Sequence, residues 1–416
     1  MPEKSRTSIY TPKRTTPRTP KRRIEPTISK IIGNICRLQW VQKILQQHTS
    51  VANTYSQRFN QERTTGPIVE IISEHTVDTL PDVPRSSMEL TYRQQYTKNK
   101  LTGKSIRIVS YNILAERYTD DEQFSYCDPK YLSIGYRKQV ILEEVLNYKA
   151  DLICMQEVDL EQYHDYFKNH FKNNGYIPVF YKKGHIIPEG LAFVYDRNRF
   201  KKLDCAHIVL SHELRSNQIF KDIWNFIKKY KDVKELFMKQ HTSLLVTTLK
   251  LHQTDHILIV ANTHLYYHRE AGHVRLIQVA MALTYIRQLI KRIKKDGDKV
   301  SVIFCGDFNS RPQTAVYKFL TDGEVKNYEE NLDCIDGARA GIFQHNFDFF
   351  SACGTPEFTN YTDEFKGCLD YIFCQKHMTV TQVLPFPPEE ELAEDIALPN
   401  QYFPSDHLAL VADIKL

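Results

Sequence analysis

Eight short apolar runs constrain this chain more than any other feature. They are Ile106–Leu114, Asp151–Gln156, Leu191–Tyr195, Leu244–Leu251, His256–His264, Val300–Phe304, Leu369–Phe373 and His407–Ile414. Each is five to nine residues long and rich in β-branched side chains. That length and composition favour strands over helices. Helical patterns lie between them. The clearest is expected over Val274–Lys295, where Leu276, Val279, Leu283, Ile286, Ile290 and Ile293 recur every three or four residues without Pro or Gly. Lys291, Arg292, Lys294 and Lys295 suit the negative end of its dipole. Further helices are expected over Tyr136–Asn147 and Phe220–Gln240. Strands alternating with helices imply an α/β domain. Many strands buried on one face imply two packed mixed β-sheets flanked by helices, a four-layer α/β sandwich.

Charge divides the chain. Residues 1–58 hold twelve basic and two acidic residues, whereas residues 105–416 hold 37 basic and 42 acidic ones. A basic arm (1–58) is therefore joined through a charge-balanced linker (59–104), with an edge strand expected near Ile68–Ile72, to a mildly acidic body (105–416). At 42% hydrophobic and 12% aromatic, the chain has the means to bury a large core, which excludes disorder throughout. Nine cysteines without a CxxC imply a reducing compartment and neither a disulfide framework nor a structural zinc. Cys154 and Cys305 lie inside strand-like runs as buried thiols. No apolar run approaches the roughly 18–20 residues that span a bilayer.

The arm is Arg-, Lys-, Ser- and Thr-rich and nearly free of acid, as in a mitochondrial transit peptide. Pro2, Pro12, Pro17, Pro20 and Pro26 keep its first part from forming a helix, and Ser29–Gln46 is the better amphipathic candidate. Lys13-Arg14 and Lys21-Arg22-Arg23 suit nuclear import or RNA contact equally, and a solvated disordered tail is the plain alternative.

Polar residues stand where the runs end. They are Asn112, Glu157, His264, Asp307 with Asn309, Asp370, and Asp406 with His407. Each alone has a dull explanation, since Asp-x-Asn is a common turn. Together they suggest one rim of strand-end loops, where sites gather. Their chemistry is coherent. Glu, Asp and Asn oxygens suit Mg²⁺, histidines stabilise developing phosphate charge, and a carboxylate activates water. Metal-assisted phosphodiester hydrolysis follows from these residue types.

The ordered series Tyr111-Asn112, Gln156-Glu157, Thr263-His264, Gly306-Asp307-Phe308-Asn309, Leu369-Asp370-Tyr371 and Ser405-Asp406-His407 resembles the endonuclease/exonuclease/phosphatase superfamily over about residues 105–416. The flanking text is most similar to the 2′-phosphodiesterases, which include 2′,5′-oligoadenylate phosphodiesterase and mitochondrial poly(A) deadenylase. The matching stretches include Ser110–Ala115, His264–His268, Arg275–Gln278, Ser351–Gly354, Thr359–Tyr361 and Phe365–Phe373. CCR4-like and Angel-type proteins share the metal set but match these flanks less well.

The resemblance implies roles. Glu157 would be the principal Mg²⁺ ligand with Asn112 nearby, one or two ions being involved and Mn²⁺ a substitute. Asp307 would activate water and approach the metal, and Asn309 would hold the phosphate or nucleophile. His264 and His407 would stabilise the transition state. Asp370 would orient a histidine, and Asp406 would support a second metal position. Phe365 would stack on adenine. Arg269 stands where relatives commonly place a proline on the opposite wall, and Tyr267, His268 and Asn360 would line the same pocket. The segment Lys182–Glu189 looks like an insertion beside it.

The implied activity is Mg²⁺-dependent 3′-exoribonuclease or phosphodiesterase action on 2′,5′-oligoadenylate and 3′,5′ poly(A), releasing AMP. The alternatives are a CCR4/Angel-like deadenylase, an RNA 2′,3′-phosphate-processing enzyme, a DNA-repair endonuclease or lipid or inositol phosphatase on the same scaffold, and a catalytically dead RNA-binding scaffold. The partner implied is RNA or oligoadenylate, the state a monomer, and the location the mitochondrial matrix, with cytoplasm or nucleus as the other destinations.

Overall fold

The computed structural model describes residues 93–119, 122–184, 186–295, 297–325, 343–392 and 396–416. The basic arm, the amphipathic stretch Ser29–Gln46 and the strand expected near Ile68–Ile72 lie outside the described residues.

Fourteen strands are described: β1 (Ser105–Asn112), β2 (Leu152–Asp159), β3 (Tyr176–Lys182), β4 (Glu189–Asp196), β5 (Phe200–Val209), β6 (Ser243–Leu251), β7 (His256–His264), β8 (Lys299–Asp307), β9 (Phe349–Ser351), β10 (Asn360–Tyr361), β11 (Lys366–Gly367), β12 (Asp370–Gln375), β13 (Thr379–Val383) and β14 (Leu410–Lys415). Two six-stranded sheets result, in the orders β13-β14-β1-β2-β4-β3 and β5-β6-β7-β8-β12-β9, with β10-β11 as a small separate hairpin. Both sheets are mixed. β1 runs parallel to β2 and β7 to β8, and the remaining pairs are antiparallel. The two-sheet α/β architecture expected from the alternating runs is present.

Side-chain alternation explains where the core and the site lie, because successive residues of a strand face opposite sides. Ile106 and Ile108 of β1, Leu152 and Cys154 of β2, Leu258 and Val260 of β7, Ile303 and Cys305 of β8, and Ile372 and Cys374 of β12 share one buried cluster between the sheets. The intervening Val109, Tyr111, Ile153 and Met155 join Ile141, Leu142 and Val145 of helix α1 (Ile134–Asn147) in a second cluster on the outer face. Ser133 starts α1 by accepting the Gly135 N–H. Continuing the inner rows by twos ends them on Asn112, Gln156, His264, Asp307 and Asp370.

Helix α2 (Lys168–Asn173) follows β2. The segment expected as one helix over Phe220–Gln240 forms α4 (Lys221–Ile227) and α5 (Lys231–Met238), preceded by α3 (Leu210–Ser216). The break falls at Tyr230, whose extended backbone (φ −116°, ψ 91°) separates α4 from α5, although Ile223, Phe226 and Ile227 keep helical spacing to Val233 and Phe237. The long helix α6 (Gly272–Ile293) packs against α3, α4, α5 and α7 (Ala315–Asp322). The seven cysteines among the described residues are free, and Cys154 and Cys305 are fully buried. No described helix is long and apolar enough to cross a membrane.

Candidate active site

Register brings the strand ends together. His264 of β7 pairs with Asp307 of β8, and Asp307 pairs with Asp370 of β12, so three adjacent strands present these side chains in a row. Across from them Asn112 pairs with Gln156 at the ends of β1 and β2. Inner-face alternation points both rows into the space between the sheets.

Two backbone irregularities complete the rim. Glu157 follows the inward Gln156 and would face outward in a regular strand. Instead the β2–β4 register shifts between Met155 and Val158, and Glu157 adopts a φ of 55°. A non-glycine residue there is strained, and such bulges re-aim side chains. Gly306 sits at φ 145°, where an added Cβ would come within 2.0 Å of the Thr263 carbonyl oxygen. Only glycine lets β7 and β8 approach closely enough to set His264 beside Asp307.

The Asn112 amide links the two halves. Its Nδ2 donates to Glu157 Oε1 at 2.9 Å and Asp307 Oδ2 at 3.1 Å, and lies 3.5 Å from His407 Nε2. Its Oδ1 accepts the Leu114 N–H at 3.1 Å, so Asn112 turns its NH₂ rather than its oxygen to the carboxylates. Glu157 Oε2 accepts the Ala115 N–H at 3.1 Å. His264 Nε2 lies 3.5 Å and His407 Nε2 3.7 Å from Asp307 Oδ2. The other His407 nitrogen, Nδ1, is 2.8 Å from Asp370 Oδ2, which also accepts the Thr359 hydroxyl at 2.6 Å. Asn309 donates its backbone N–H to Asp307 Oδ1 at 2.8 Å and its side chain to the Leu265 carbonyl at 3.0 Å.

Burial and charge tune these groups. Burial, together with the nearby Glu189 and Asp406 carboxylates, raises Glu157 to about 7 against the Asn112 bond and Lys183. Burial and the Asp370 carboxylate raise Asp307 as well, opposed by His407. Burial, Lys183 and His407 hold His264 well below the ordinary histidine range. Burial also disfavours charge on His407, but the Asp370 and Asp406 carboxylates outweigh it and hold the imidazolium well above that range. A neutral and a charged histidine thus flank one carboxylate.

The donor set fits a hard divalent ion. Glu157 and Asp307 place two buried carboxylates on the same Asn112 amide, hard oxygen donors of the kind a divalent ion takes. His264 Nδ1 and Asp370 Oδ1 are buried without a hydrogen-bond partner. Asp307, Asp370 and His407 offer ligand atoms that all lie within 4.8 Å of one another. Asp406 differs from the expected set in its engagement: its Oδ2 accepts from Asn360 at 2.9 Å and its Oδ1 faces the Ser405 hydroxyl at 3.5 Å.

The substrate-side residues sort by exposure. Tyr267 is 65% exposed, Arg269 is exposed and His268 half-buried. Asn360 is buried with its amide committed to Asp406. Phe365 is half-buried at the turn of the β10–β11 hairpin, and the cation over its ring is Arg311, at 4.8 Å.

Several supporting residues escaped the sequence reading. Arg275, buried on α6, donates to the carbonyls of Tyr266, His268 and Arg269 and to Ser310 Oγ, and so shapes the loop after His264. Arg137 of α1 is fully buried and binds the carbonyls of Ile113, Leu114 and Pro404, tying the loop after Asn112 to the one before His407. Asn262 joins the two sheets by accepting from Gln156 and donating to the Met155 and Ala192 carbonyls. Their signal was slight: a polar residue in an apolar run marks a buried network only once the opposite sheet is known.

Comparison with known proteins fixes the lineage. The Endonuclease/Exonuclease/phosphatase family matches residues 109–407. The chain belongs to this family. The match spans every member of the ordered series from Asn112 to His407, as the sequence resemblance implied. Among curated family members, human 2′,5′-phosphodiesterase 12 is 38% identical over 316 residues, covering 74% of this chain and 51% of that protein. The CCR4-Not complex 3′-5′-exoribonuclease subunit Ccr4 of Schizosaccharomyces pombe is 30% identical over 342 residues, covering 74% of this chain and 49% of its own length. The chain thus spans about half the length of the curated relatives it matches. Among solved structures, ANGEL2, a 2′,3′-cyclic phosphatase crystallised with adenosine-2′,3′-vanadate, shares the family fold at TM-score 0.63 and 24% identity, over 76% of this chain and 97% of that one.

Proposed function

We propose that this protein is a Mg²⁺-dependent phosphodiesterase and 3′-exoribonuclease that hydrolyses 2′,5′-linked oligoadenylate and 3′,5′ poly(A) to AMP. One observation carries the reading. Asp307 Oδ2 is the focus of the Asn112 amide at 3.1 Å, His264 at 3.5 Å and His407 at 3.7 Å, with Glu157 on the far side of the same amide. One amide and two imidazoles thereby converge on Asp307 Oδ2, and the same amide ties that carboxylate to Glu157. The 38% identity to human 2′,5′-phosphodiesterase 12 supports the linkage.

Glu157 and Asp307 would hold the metal, their hard oxygens suiting Mg²⁺ or Mn²⁺. When bound, the ion supplies charge neutralisation at the phosphodiester. Asp307 takes a proton from the attacking water at Oδ2, the oxygen both histidines face, and that proton passes to the departing 2′- or 3′-oxygen of the shortened chain as its bond to phosphorus breaks. His407, held charged and fixed through Nδ1 by Asp370, donates from Nε2 to a phosphate oxygen as charge develops. His264 donates from the neighbouring strand, and Asn309, locked by its bonds to Asp307 and Leu265, orients the phosphate. Phe365, with Tyr267 and His268, receives the base by stacking.

Hydrolysis of 2′,5′-triadenylate, 3′,5′-oligo(A) and mixed-sequence RNA, with Mg²⁺ and with EDTA, tests the reading. Release of AMP from adenylate substrates, abolished by EDTA, is expected. No cleavage of either adenylate by Mg²⁺-loaded protein would refute it. The acid-poor arm is assigned to mitochondrial matrix import; a reporter fused to residues 1–58 that stays in the cytoplasm or enters the nucleus would overturn that assignment.

A further inference from the structure

β7 and β8 carry the candidate active site at their ends, His264 and Asp307, and a second polar cluster at their beginnings, His256 and Lys299. His256 and His264 are the two ends of the nine-residue strand β7, eight steps or roughly 26 Å apart at about 3.3 Å per residue. The second cluster lines a pocket of about 370 Å³. Its polar wall is Lys104, Lys294, Lys299, His256, His377 and Ser301.

The wall contains a built element. Ser301 is 1% exposed, and its Oγ lies 2.7 Å from His256 Nε2 and 2.7 Å from His377 Nε2. His256 is itself 6% exposed, so a buried imidazole and hydroxyl stand behind an exposed one. A hydroxyl between two ring nitrogens donates to one and accepts from the other, which fixes both rings. Around this element stand three ammonium groups without an ion pair among the described residues. The acidic side chain in the lining is Asp298, whose Oδ2 already accepts the Lys295 N–H at 3.0 Å. Even with a carboxylate on Leu416 counted, positive groups outnumber negative ones. Three lysines exclude a cation as the ligand, and their ammonium donors beside the exposed ring of His377, which Ser301 holds in place, suit a phosphate. The volume is at the small end for a ligand site, enough for a phosphate with a body about the size of a nucleoside.

We propose that this pocket is a second phosphate-binding site, remote from the catalytic rim, which takes the phosphate of a small ester such as a nucleoside monophosphate or that of an oligonucleotide backbone. The crowding of positive charge there is also felt by His256, which burial, His377, Lys104 and Lys299 hold below its ordinary range.

Isothermal titration of the EDTA-treated full chain with inorganic phosphate, AMP and a pyrimidine oligodeoxynucleotide decides the matter when repeated on the Lys104→Ala/Lys299→Ala double variant. The lysines are exposed, so the fold should tolerate their loss. Affinity for phosphate and AMP falling at least tenfold in the variant supports the site with a small ester as ligand. A fall for the oligonucleotide alone supports it with a backbone phosphate as ligand. Equal affinities of parent and variant for all three probes overturn it. Turnover of 2′,5′-triadenylate should stay within twofold of the parent; a loss matching the loss of binding would overturn the separation of this pocket from the catalytic rim. Should the parent also fail to hydrolyse adenylate, the binding comparison still decides the pocket, because it does not depend on that activity.

Discussion

His407 Nδ1 lies 2.8 Å from Asp370 Oδ2 at the strand-end rim, and the same oxygen accepts the Thr359 hydroxyl. One ring nitrogen is therefore fixed, and the other is aimed at Asp307, 3.7 Å away. Replacing Asp370 by Asn removes the charge that sustains the imidazolium while preserving shape. Turnover should fall by on the order of 10²–10⁴-fold, with KM changed only a few-fold, as for other histidines deprived of their carboxylate. Steady-state kinetics on oligoadenylate read this directly, and an unchanged kcat would show that His407 acts without its partner.

Glu157 carries the second prediction. It is the strand residue that the bulge turns inward, and it is raised to about 7 by burial and neighbouring carboxylates. Glu157→Gln keeps the side-chain volume and removes the charge. The Mg²⁺ concentration for half-maximal rate should rise at least about tenfold, and turnover at saturation should fall about 10²-fold or more. A metal titration of the rate checks both. Wild-type metal dependence would remove Glu157 as the principal ligand.

Asp307→Asn should separate binding from chemistry. The amide can still meet the Asn309 N–H through its oxygen but cannot take a proton from water. Substrate should bind within a few-fold of the parent, while single-turnover hydrolysis drops about 10³-fold or more. Fluorescence binding of a labelled oligoadenylate beside quenched-flow hydrolysis makes the comparison; a parental rate would leave the water-activating role without its residue.

The interior of this fold was legible because its central strands are covered on both faces. β1, β2, β4, β6, β7, β8, β12 and β14 each stand out as an apolar run, and the site residues are where those runs stop. β3, β5, β9 and β13 did not stand out, and these four are the edges of the two sheets. An edge strand is half solvated, so its pattern is diluted, as in β5, where Lys201 and Lys202 are exposed. Likewise, the identities of Asn112, Glu157, Asp307 and His407 were readable from order, but Glu157's inward turn required a bulge no spacing announces. The support Arg137 was hidden because it serves carbonyls far away in sequence, up to Pro404, which only the folded chain brings near; Arg275 was hidden because backbone carbonyls, even those of the nearby Tyr266, His268 and Arg269, leave no mark in a sequence. Arg311, over Phe365, was hidden as Arg137 was, lying 54 residues earlier in the sequence.

Arg275 supplies a prediction about stability and site shape together. Its guanidinium is buried, and three carbonyls and a hydroxyl share it. Arg275→Met keeps the packing stem but leaves those carbonyls without donors. Unfolding free energy should fall by about 3 kcal/mol, the scale seen when a buried charge network is broken. Because the freed loop holds Tyr267, His268 and Arg269, KM should rise more than kcat falls. Urea unfolding and Michaelis kinetics test the two halves, and a variant as stable as the parent would contradict the first.

The final prediction concerns acid. His345 accepts the Phe347 N–H at Nδ1, 3.2 Å away, and therefore donates from Nε2 to the Phe319 carbonyl at 2.7 Å. A proton added at Nδ1 would face a backbone donor, so the ring is built to be neutral. Burial, partly offset by the Phe319 bond, lowers its pKa from 6.5 to about 4. Because the folded value is below the unfolded one, this contribution to stability is complete above pH 6.5 and is lost as the pH falls toward 4. With allowance for the ring's partial exposure, the loss between pH 7 and pH 5 should be about 1 kcal/mol from this group. His345→Gln keeps a donor for the Phe319 carbonyl and cannot titrate. The parent's stability relative to this variant should therefore shrink by that amount over the interval in urea unfolding. Parallel stability–pH profiles for parent and variant would show that His345 is not the neutral ring its two bonds describe.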